Sequence, residues 1–527
     1  MKWNTGKILS KRESFSPDKP AVIFEDTPIT YRELNRETNR VAHFFKEKGL
    51  KKGDRIAVDL LNSPEFLACY FAAAKLGLIF VPLNYRLVSQ ELKYQINRCN
   101  CRLLVFNDLF TKYIEPIRDF LDVEKENFIC VTGYTAENYC PEWALDYYSI
   151  IEKYPFHEPV PDEFIDLDDP FIILFTSGTT GNPKGAVLTH GQTYFKCFQV
   201  INYTDMRQDD IFQSQAPLCH SAGLAAVSTP ALCRGATLLM RSKFDAEKFA
   251  LDIEKYKATI VFSLTTMMRF VLDTGILDQV DLSSVRFAWG GGEKTPPEFF
   301  DELDEKGLHI LPGFGQTENS AMVLMPGDAP KSKNRSAGLP NFFTDLWIQN
   351  ETGEKLGPGE IGQIVAMGPN VMKGYWDMPV ETSSTIVDDV LYTGDLGYLD
   401  EDGYLYVVDR VKDMYRSGAE NVYPAEVEAV LINHPKINKI AIIGVPDEKW
   451  GETGKAFIVC NQGKTISYEE VLSFLNSKLA RFKFPRSIQL IDSLPLTVTG
   501  KLKKSVLKKQ FTDSLTGGVK KKWDWSM

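Results

Sequence analysis

No run of about 18 consecutive apolar residues occurs in the chain, so a membrane-spanning helix is not expected. Metal signatures are equally scarce. The six histidines are scattered, with no HExxH pair and no His–Cys cluster, which argues against a zinc site. The nine cysteines, Cys69, Cys99, Cys101, Cys130, Cys140, Cys197, Cys219, Cys233 and Cys460, are odd in number and never spaced CxxC, the usage of a reducing compartment. The opening MKWNTGKILSKRESF lacks the apolar core of a signal peptide, and the closing Trp525, Ser526 and Met527 do not form a peroxisomal SKL signal. A cytoplasmic location is the expectation. A basic excess is also missing: 60 Lys and Arg stand against 70 Asp and Glu, a formal charge of −10, which argues against nucleic acid or an anionic membrane as a general partner. Only the carboxyl-terminal region concentrates lysine (Lys501, Lys503, Lys504, Lys508, Lys509, Lys520, Lys521 and Lys522), which reads as a solvated face.

What the chain does have is length and an ordinary globular composition. Its 527 residues, 44% hydrophobic and 25% charged, exceed what one core accommodates, so at least two domains are expected. Thr30 to Glu33 forms a capping-box pattern ahead of Leu34, Val41, Ala42 and Phe45 on one helical face. Ser63 and Pro64 start a second helix that runs to Gly77 and leads into the buried run Leu78 to Val81. The alternation recurs with a strand at Thr237 to Met240, a helix bearing Phe249, Ile253 and Tyr256, and a strand at Thr259 to Phe262. Helix-flanked parallel sheets should therefore form the bulk. From about residue 340 short strands with Gly turns take over, and Asp402-Gly403 reads as a hairpin turn between Leu399 and Leu405. Beyond Arg410 come a helix from Pro424 to Ile432, strands at Ile440 to Ile443 and Phe457 to Cys460, and a helix from Tyr468 to Leu479, enough for a small α+β domain.

The chemistry begins at TSGTTGNPKG, Thr176 to Gly185, a polar loop between the apolar runs Phe171 to Phe175 and Ala186 to Leu188. Its glycines allow backbone N–H groups to approach an anion, the hydroxyls of Thr176, Ser177, Thr179 and Thr180 can bond it, and Lys184 adds positive charge. A triphosphate has these needs. The loop is not a Walker motif, because Gly185 follows Lys184 and the glycine spacing is wrong.

Four further motifs follow in order: GFGQTE at Gly313 to Glu318, YTGD at Tyr392 to Asp395, DRVKDMYRSGAE at Asp409 to Glu420, and PLTVTGK at Pro495 to Lys501. Together with the loop and the early segment PAVIFEDTPITYREL, this series resembles the adenylate-forming superfamily of acyl-CoA synthetases, luciferases and adenylation domains, over nearly the whole chain. The resemblance implies an α/β fold with a large N-terminal domain of layered, helix-flanked sheets, residues 1–410, and a small barrel-like β subdomain within it from about 340. It also implies a small mobile α+β C-terminal domain, residues 411–527, swinging about a hinge at Lys412.

The residue roles follow from the same resemblance. Thr176, Ser177, Gly178, Thr179, Thr180, Gly181 and Lys184 hold ATP phosphates; Gly313, Phe314, Gly315 and Gln316 meet the nucleotide, with Phe314 against adenine; Thr317 bonds the α-phosphate. Glu318 and Thr176 are the implied Mg²⁺ ligands. Asp395 and Arg410 take the ribose, Gly292 and Glu293 lie at the adenine edge, and Lys501 bridges carboxylate and α-phosphate as charge builds. Ser417, Gly418, Ala419, Glu420 and Trp450 are the implied CoA-binding residues, Ala419 standing where a second Gly is commoner. His220 and Ser221 sit near the acid, and Met267, Met268, Trp289, Gly290, Gly291 and Met322 supply a lining. No convergent Arg pair for a dicarboxylate is evident.

The implied activity is an acid–CoA ligase: a carboxylic acid and ATP give acyl-AMP and pyrophosphate, then CoA gives acyl-CoA and AMP. The expected acid is an apolar monocarboxylate, either a medium or long aliphatic chain or an aromatic or alicyclic acid. Two other readings remain: an adenylating enzyme that loads a carrier-protein pantetheine, disfavoured by the lack of an attached carrier domain, and an inactive acyl-binding homologue, disfavoured by intact Lys184, Glu318, Asp395 and Lys501. A homodimer is left open.

Overall fold

The computed structural model describes residues 3–176, 183–291, 297–320, 322–350, 352–410, 415–418, 420–422, 424–495, 504, 506–508 and 510–511, without the side chains of 297, 298, 408–410, 421 and 425. Two compact units are present, one built from Met1–Thr176 and Lys184–Val411, the other containing the chain from Lys412 onward.

In the first unit, continuous apolar runs buried on both faces form two large sheets. In the eight-stranded sheet the strands Arg55–Asp59, Ile79–Pro82, Leu103–Asn107 and Phe128–Val131 pair in parallel, while Pro170–Thr176 and Lys184–Thr189 close one side as an antiparallel pair. Alternate residues divide between two cores: Ile56, Val58, Phe80, Leu103 and Val105 face one way, and Ala57, Ile79, Val81, Leu104 and Phe106 the other. The nine-stranded sheet repeats the plan, with Ile211–Gln213, Thr237–Met240, Ile260–Leu264, Phe287–Gly291 and Ile310–Phe314 at its parallel centre.

One core is shared by both sheets and enclosed by helices. The helix Pro64–Leu76 is the clearest member, buried at every residue. Ser63 caps it by accepting from Phe66 N, Pro64 sits in its first turn, and Gly77 ends it at φ 73°. An apolar helix with no polar face belongs between layers. The outer faces are covered separately. Leu92 and Ile96 of Ser89–Arg98 pack on the eight-stranded sheet, and Phe249, Ile253, Met268, Val271 and Leu303 pack on the nine-stranded one. The layered sheets expected from the sequence are thus present. The capping box at Thr30 is present as well, opening the helix Tyr31–Glu47.

Past residue 340 a five-stranded sheet forms from Asp345–Gln349, Gly362–Met367, Ile386–Val387, Val390–Leu399 and Leu405–Arg410. Its last two strands make the Asp402-Gly403 hairpin, with Gly403 at φ 82°. This is the barrel-like subdomain. The second unit is a five-stranded sheet, with Ile437–Asp447 and Gly451–Cys460 as its long antiparallel pair, packed by the helices Pro424–Leu431 and Tyr468–Leu475. The latter helix stops four residues before the expected Leu479, because Ser477 takes the left-handed conformation at φ 68°. Among the described residues no helix is long and apolar enough to cross a membrane.

Candidate active site

Thr176 and Lys184 face each other at the ends of the antiparallel strands that bracket the hydroxyl-rich loop, with the Thr176 hydroxyl 3.4 Å from the Lys184 carbonyl it donates to. Ser177, Gly178, Thr179, Thr180 and Gly181 lie outside the described residues. On the other edge of Lys184–Thr189 the short strand Gly374–Tyr375 pairs antiparallel, with Tyr375 opposite Ala186. Side chains two apart along a strand share a face, so Lys184 and Tyr375 project to the same side. The Lys184 ammonium lies 4.8 Å from the centroid of the Tyr375 ring.

The Tyr375 hydroxyl in turn donates to Glu318 Oε1 at 2.8 Å. Glu318 is half-buried in the turn after the strand Ile310–Phe314. That turn is held by backbone and side-chain bonds: Asn319 Oδ1 accepts from Gln316 N at 2.8 Å, Met372 N donates to the Glu318 carbonyl at 2.7 Å, and Asn370 Nδ2 donates to the Asn319 carbonyl at 3.0 Å. Gln316 reaches the opposite way, donating from Nε2 to Asp395 Oδ2 at 2.6 Å and to the Thr393 carbonyl at 2.9 Å. Asp395 is buried on the strand Val390–Leu399, paired in register with Arg410, whose side chain lies outside the described residues. Lys184, Glu318, Gln316 and Asp395, scattered in sequence, are therefore brought together. Phe314 lies half-buried against the subdomain core, Gly313 and Thr317 are also half-buried, and Gly315 is exposed.

His220 and Ser221 precede a stretch of π-helix, Ala222–Ser228, a wide turn often found at functional sites. The Asn84 amide nitrogen is 3.4 Å from His220 Nε2, and the Ser221 and Ser320 hydroxyls hydrogen-bond each other, tying this segment to the residue just past GFGQTEN. Gly290 and Gly291 are required by close strand approach: a Cβ at Gly290 would stand 2.6 Å from the Ser263 carbonyl oxygen, and one at Gly291 2.7 Å from that of Gly313. Gly292 and Glu293 lie outside the described residues.

The residues expected to supply the apolar lining divide among separate clusters. Trp289 belongs to the core between the two sheets, edge-on to Phe262 at 4.6 Å; Met322 packs in the separate core of the β subdomain, with Ile348 and Ile364; Met268 faces the outer cluster with Phe249 and Val271. Met267, one position along the same helix and so turned by about 100°, is buried outside these clusters. The side chains are divided in this way because hydrophobicity marks burial without saying on which side of a sheet.

Two residues near Glu318 escaped the sequence reading. Tyr375 carries no local signal, since only strand pairing brings it to Glu318. Lys196, in the helix His190–Tyr203, is 1% exposed, and its ammonium has no hydrogen-bond partner among the described residues. Burial lowers its pKa to about 7, against the opposing pull of the Glu318 carboxylate. A lysine inside an otherwise apolar helical pattern, TYFKCF, was the available clue.

In the second unit Tyr415–Ser417 and Glu420–Val422 form a tight hairpin, with Ser417 opposite Glu420 and Gly418 at φ 66°. Gly418 N donates to the Trp450 carbonyl at 2.9 Å, and the Arg486 guanidinium lies 5.4 Å from the Trp450 ring centroid. Ser417, Gly418, Glu420 and Trp450 are thus neighbours. Ala419, Lys412 and Lys501 lie outside the described residues.

A family model described as AMP-binding enzyme matches residues 9–376, and one described as AMP-binding enzyme C-terminal domain matches residues 426–501. Among curated proteins, feruloyl-CoA synthase of an Amycolatopsis species is 37% identical over 502 residues, covering 95% of this chain and 98% of that protein. A long-chain-fatty-acid–CoA ligase of Mycobacterium tuberculosis is 32% identical over 513 residues, covering 97% and 99%. Among solved structures, o-succinylbenzoate CoA synthetase from Bacillus subtilis, a double mutant bound with a product analogue, superposes with a TM-score of 0.85 at 29% identity, covering 95% of this chain and 97% of that one.

Proposed function

Because the chain belongs to the AMP-binding enzyme family of ATP-dependent, AMP-forming CoA ligases, we propose that it activates an apolar aromatic monocarboxylic acid as its acyl-adenylate and transfers the acyl group to CoA. A carboxylate is a poor electrophile. Attack of one carboxylate oxygen on the α-phosphorus of ATP expels pyrophosphate and turns that oxygen into part of a good leaving group. The CoA thiol then gives up its proton as sulfur attacks the acyl carbon, and AMP departs. The observation that carries this reading is the convergence of Lys184, Glu318, Gln316 and Asp395 through the Tyr375 and Gln316 hydrogen bonds.

In this reading Lys184 and the loop before it hold the phosphates, Thr317 bonds the α-phosphate, Phe314 covers adenine with Gly292 and Glu293 at its edge, and Asp395 with Arg410 holds the ribose. A Mg²⁺ ion fits the donors present. Glu318 has one carboxylate oxygen engaged by Tyr375, and the Thr176 hydroxyl lies at the end of the loop. Among the described residues no group of three or more acidic, His or Cys side chains forms a cage, which suits an ion bound mainly by phosphates and water. When bound, it would neutralise charge on the transferring phosphates. Glu318 and Thr176 would hold it.

Lys501 is assigned to the charge that develops on adenylation, the Ser417 to Glu420 hairpin with Ala419 and Trp450 to CoA, and Lys412 to a hinge between residues 1–410 and a mobile 411–527. His220 and Ser221 would orient the acid. The aromatic preference is supported by the feruloyl-CoA synthase relative. A cytoplasmic location fits the thiol-rich, disulfide-free cysteine usage. Lys501→Ala is expected to abolish adenylate formation while sparing thioester formation from supplied acyl-AMP. Equal loss of both half-reactions, followed by pyrophosphate and thioester release, would remove that division of labour.

A further inference from the structure

A glutamate side chain can present either carboxylate oxygen, so a partner is needed to fix which oxygen of Glu318 faces a ligand. Tyr375 is built to do so. Its ring sits on a two-residue strand anchored on both sides: Gly374 and Tyr375 pair with Val187 and Ala186, and Tyr375 N donates to the Thr382 hydroxyl at 2.9 Å. From that anchor the hydroxyl reaches Glu318 Oε1 while the ring face carries the Lys184 ammonium. One side chain thus touches both the lysine that ends the phosphate loop and the carboxylate of GFGQTE. The neighbouring chain is held to the same frame, since Met372 N bonds the Glu318 carbonyl and Gln192 Nε2 bonds the Val371 carbonyl.

We propose that Tyr375 is a positioning residue that couples Glu318 to Lys184, holding one carboxylate oxygen so that the other is presented to the nucleotide-bound cation. The inference rests on the adenylation reading for what Glu318 and Lys184 bind, but not on the turnover that follows. A hydroxyl-to-carboxylate bond is charge-assisted, so its loss weakens cation and nucleotide binding through Glu318. Loss of the ring adds a second effect through Lys184.

The test is calorimetric titration of the full chain with ATP and Mg²⁺, without acid, for wild type, Y375F, E318Q, the Y375F/E318Q double variant and Y375L. Y375F, which keeps the ring, is expected to weaken binding about three- to tenfold. In the E318Q background the same change is expected to alter affinity by less than about twofold, because the partner charge is already gone. Y375L is expected to bind more weakly than Y375F. Equal effects of Y375F in both backgrounds would overturn the coupling, as would unchanged affinity in Y375F. Thermal unfolding of each variant separates these outcomes from loss of fold; a lowered midpoint with unchanged nucleotide affinity would assign Tyr375 a structural role only. Release of ADP in place of AMP by the wild type would defeat the adenylation reading and leave the measured coupling intact.

Discussion

Gln316 illustrates how one side chain in a site can also hold a neighbour in place. Its amide donates to Asp395 at 2.6 Å, so Gln316→Ala should free the carboxylate assigned to the ribose. Hydrogen bonds to a charged partner are worth about 1.5–3 kcal/mol, so KM for ATP should rise by about tenfold or more, with a smaller change in kcat; steady-state kinetics at saturating acid check this. Lys196 is the opposite case, a buried ammonium with no hydrogen-bond partner among the described residues. Burying such a group costs stability, so Lys196→Met should raise the thermal midpoint at pH 7, as read by circular dichroism. The named motifs made Lys184, Glu318 and Asp395 legible in the sequence, because their chemistry is local to short patterns. Tyr375 and the Gln316–Asp395 bond were not legible, because each depends on strands that meet only after folding.

At the scale of elements, local chemistry was the better guide. Ser63 with Pro64 and Gly77 marked both ends of the buried helix, and Thr30 with Glu33 marked the start of another, since caps involve residues a few positions apart. Ser63→Ala should cost about 1 kcal/mol of stability by leaving Phe66 N without its acceptor, measurable by urea unfolding. The helix expected to run to Leu479 ended at Leu475 because apolar spacing records burial, and Leu479 is buried from the turn that follows. The methionines expected in the lining divide between clusters for the same reason. Gly290 marks a tighter constraint. Gly290→Ala would press a methyl against the Ser263 carbonyl oxygen, and neighbouring backbone cannot yield cheaply. The variant should lose about 1–3 kcal/mol of stability and most adenylation activity, read by thermal unfolding and pyrophosphate release.

For the whole molecule, two buried groups set opposing pH dependences. Burial, reinforced by the Glu65 carboxylate, raises the Glu37 pKa to about 7 from 4.5. The folded chain binds that proton more tightly, so stability falls as pH rises from 4.5 to about 7. For Lys196, lowered by burial to about 7 from 10.5, the unfolded chain binds more protons above 7, so stability rises with pH from about 7 towards 10.5. Glu37→Gln should flatten the first limb and Lys196→Met the second, seen as apparent unfolding midpoints across pH. The larger plan, layered helix-flanked sheets with a β subdomain and a smaller α+β unit, was legible because alternating strands and helices repeat along the chain. What the sequence left open is the acid. The most direct test of the central claim is therefore product analysis: the purified chain with ATP, Mg²⁺ and a panel of aromatic and aliphatic carboxylic acids, with and without CoA. AMP and pyrophosphate are expected with an apolar aromatic acid, and acyl-CoA only when CoA is added; release of ADP and phosphate, or no acid-dependent AMP, would rule out adenylation by this chain.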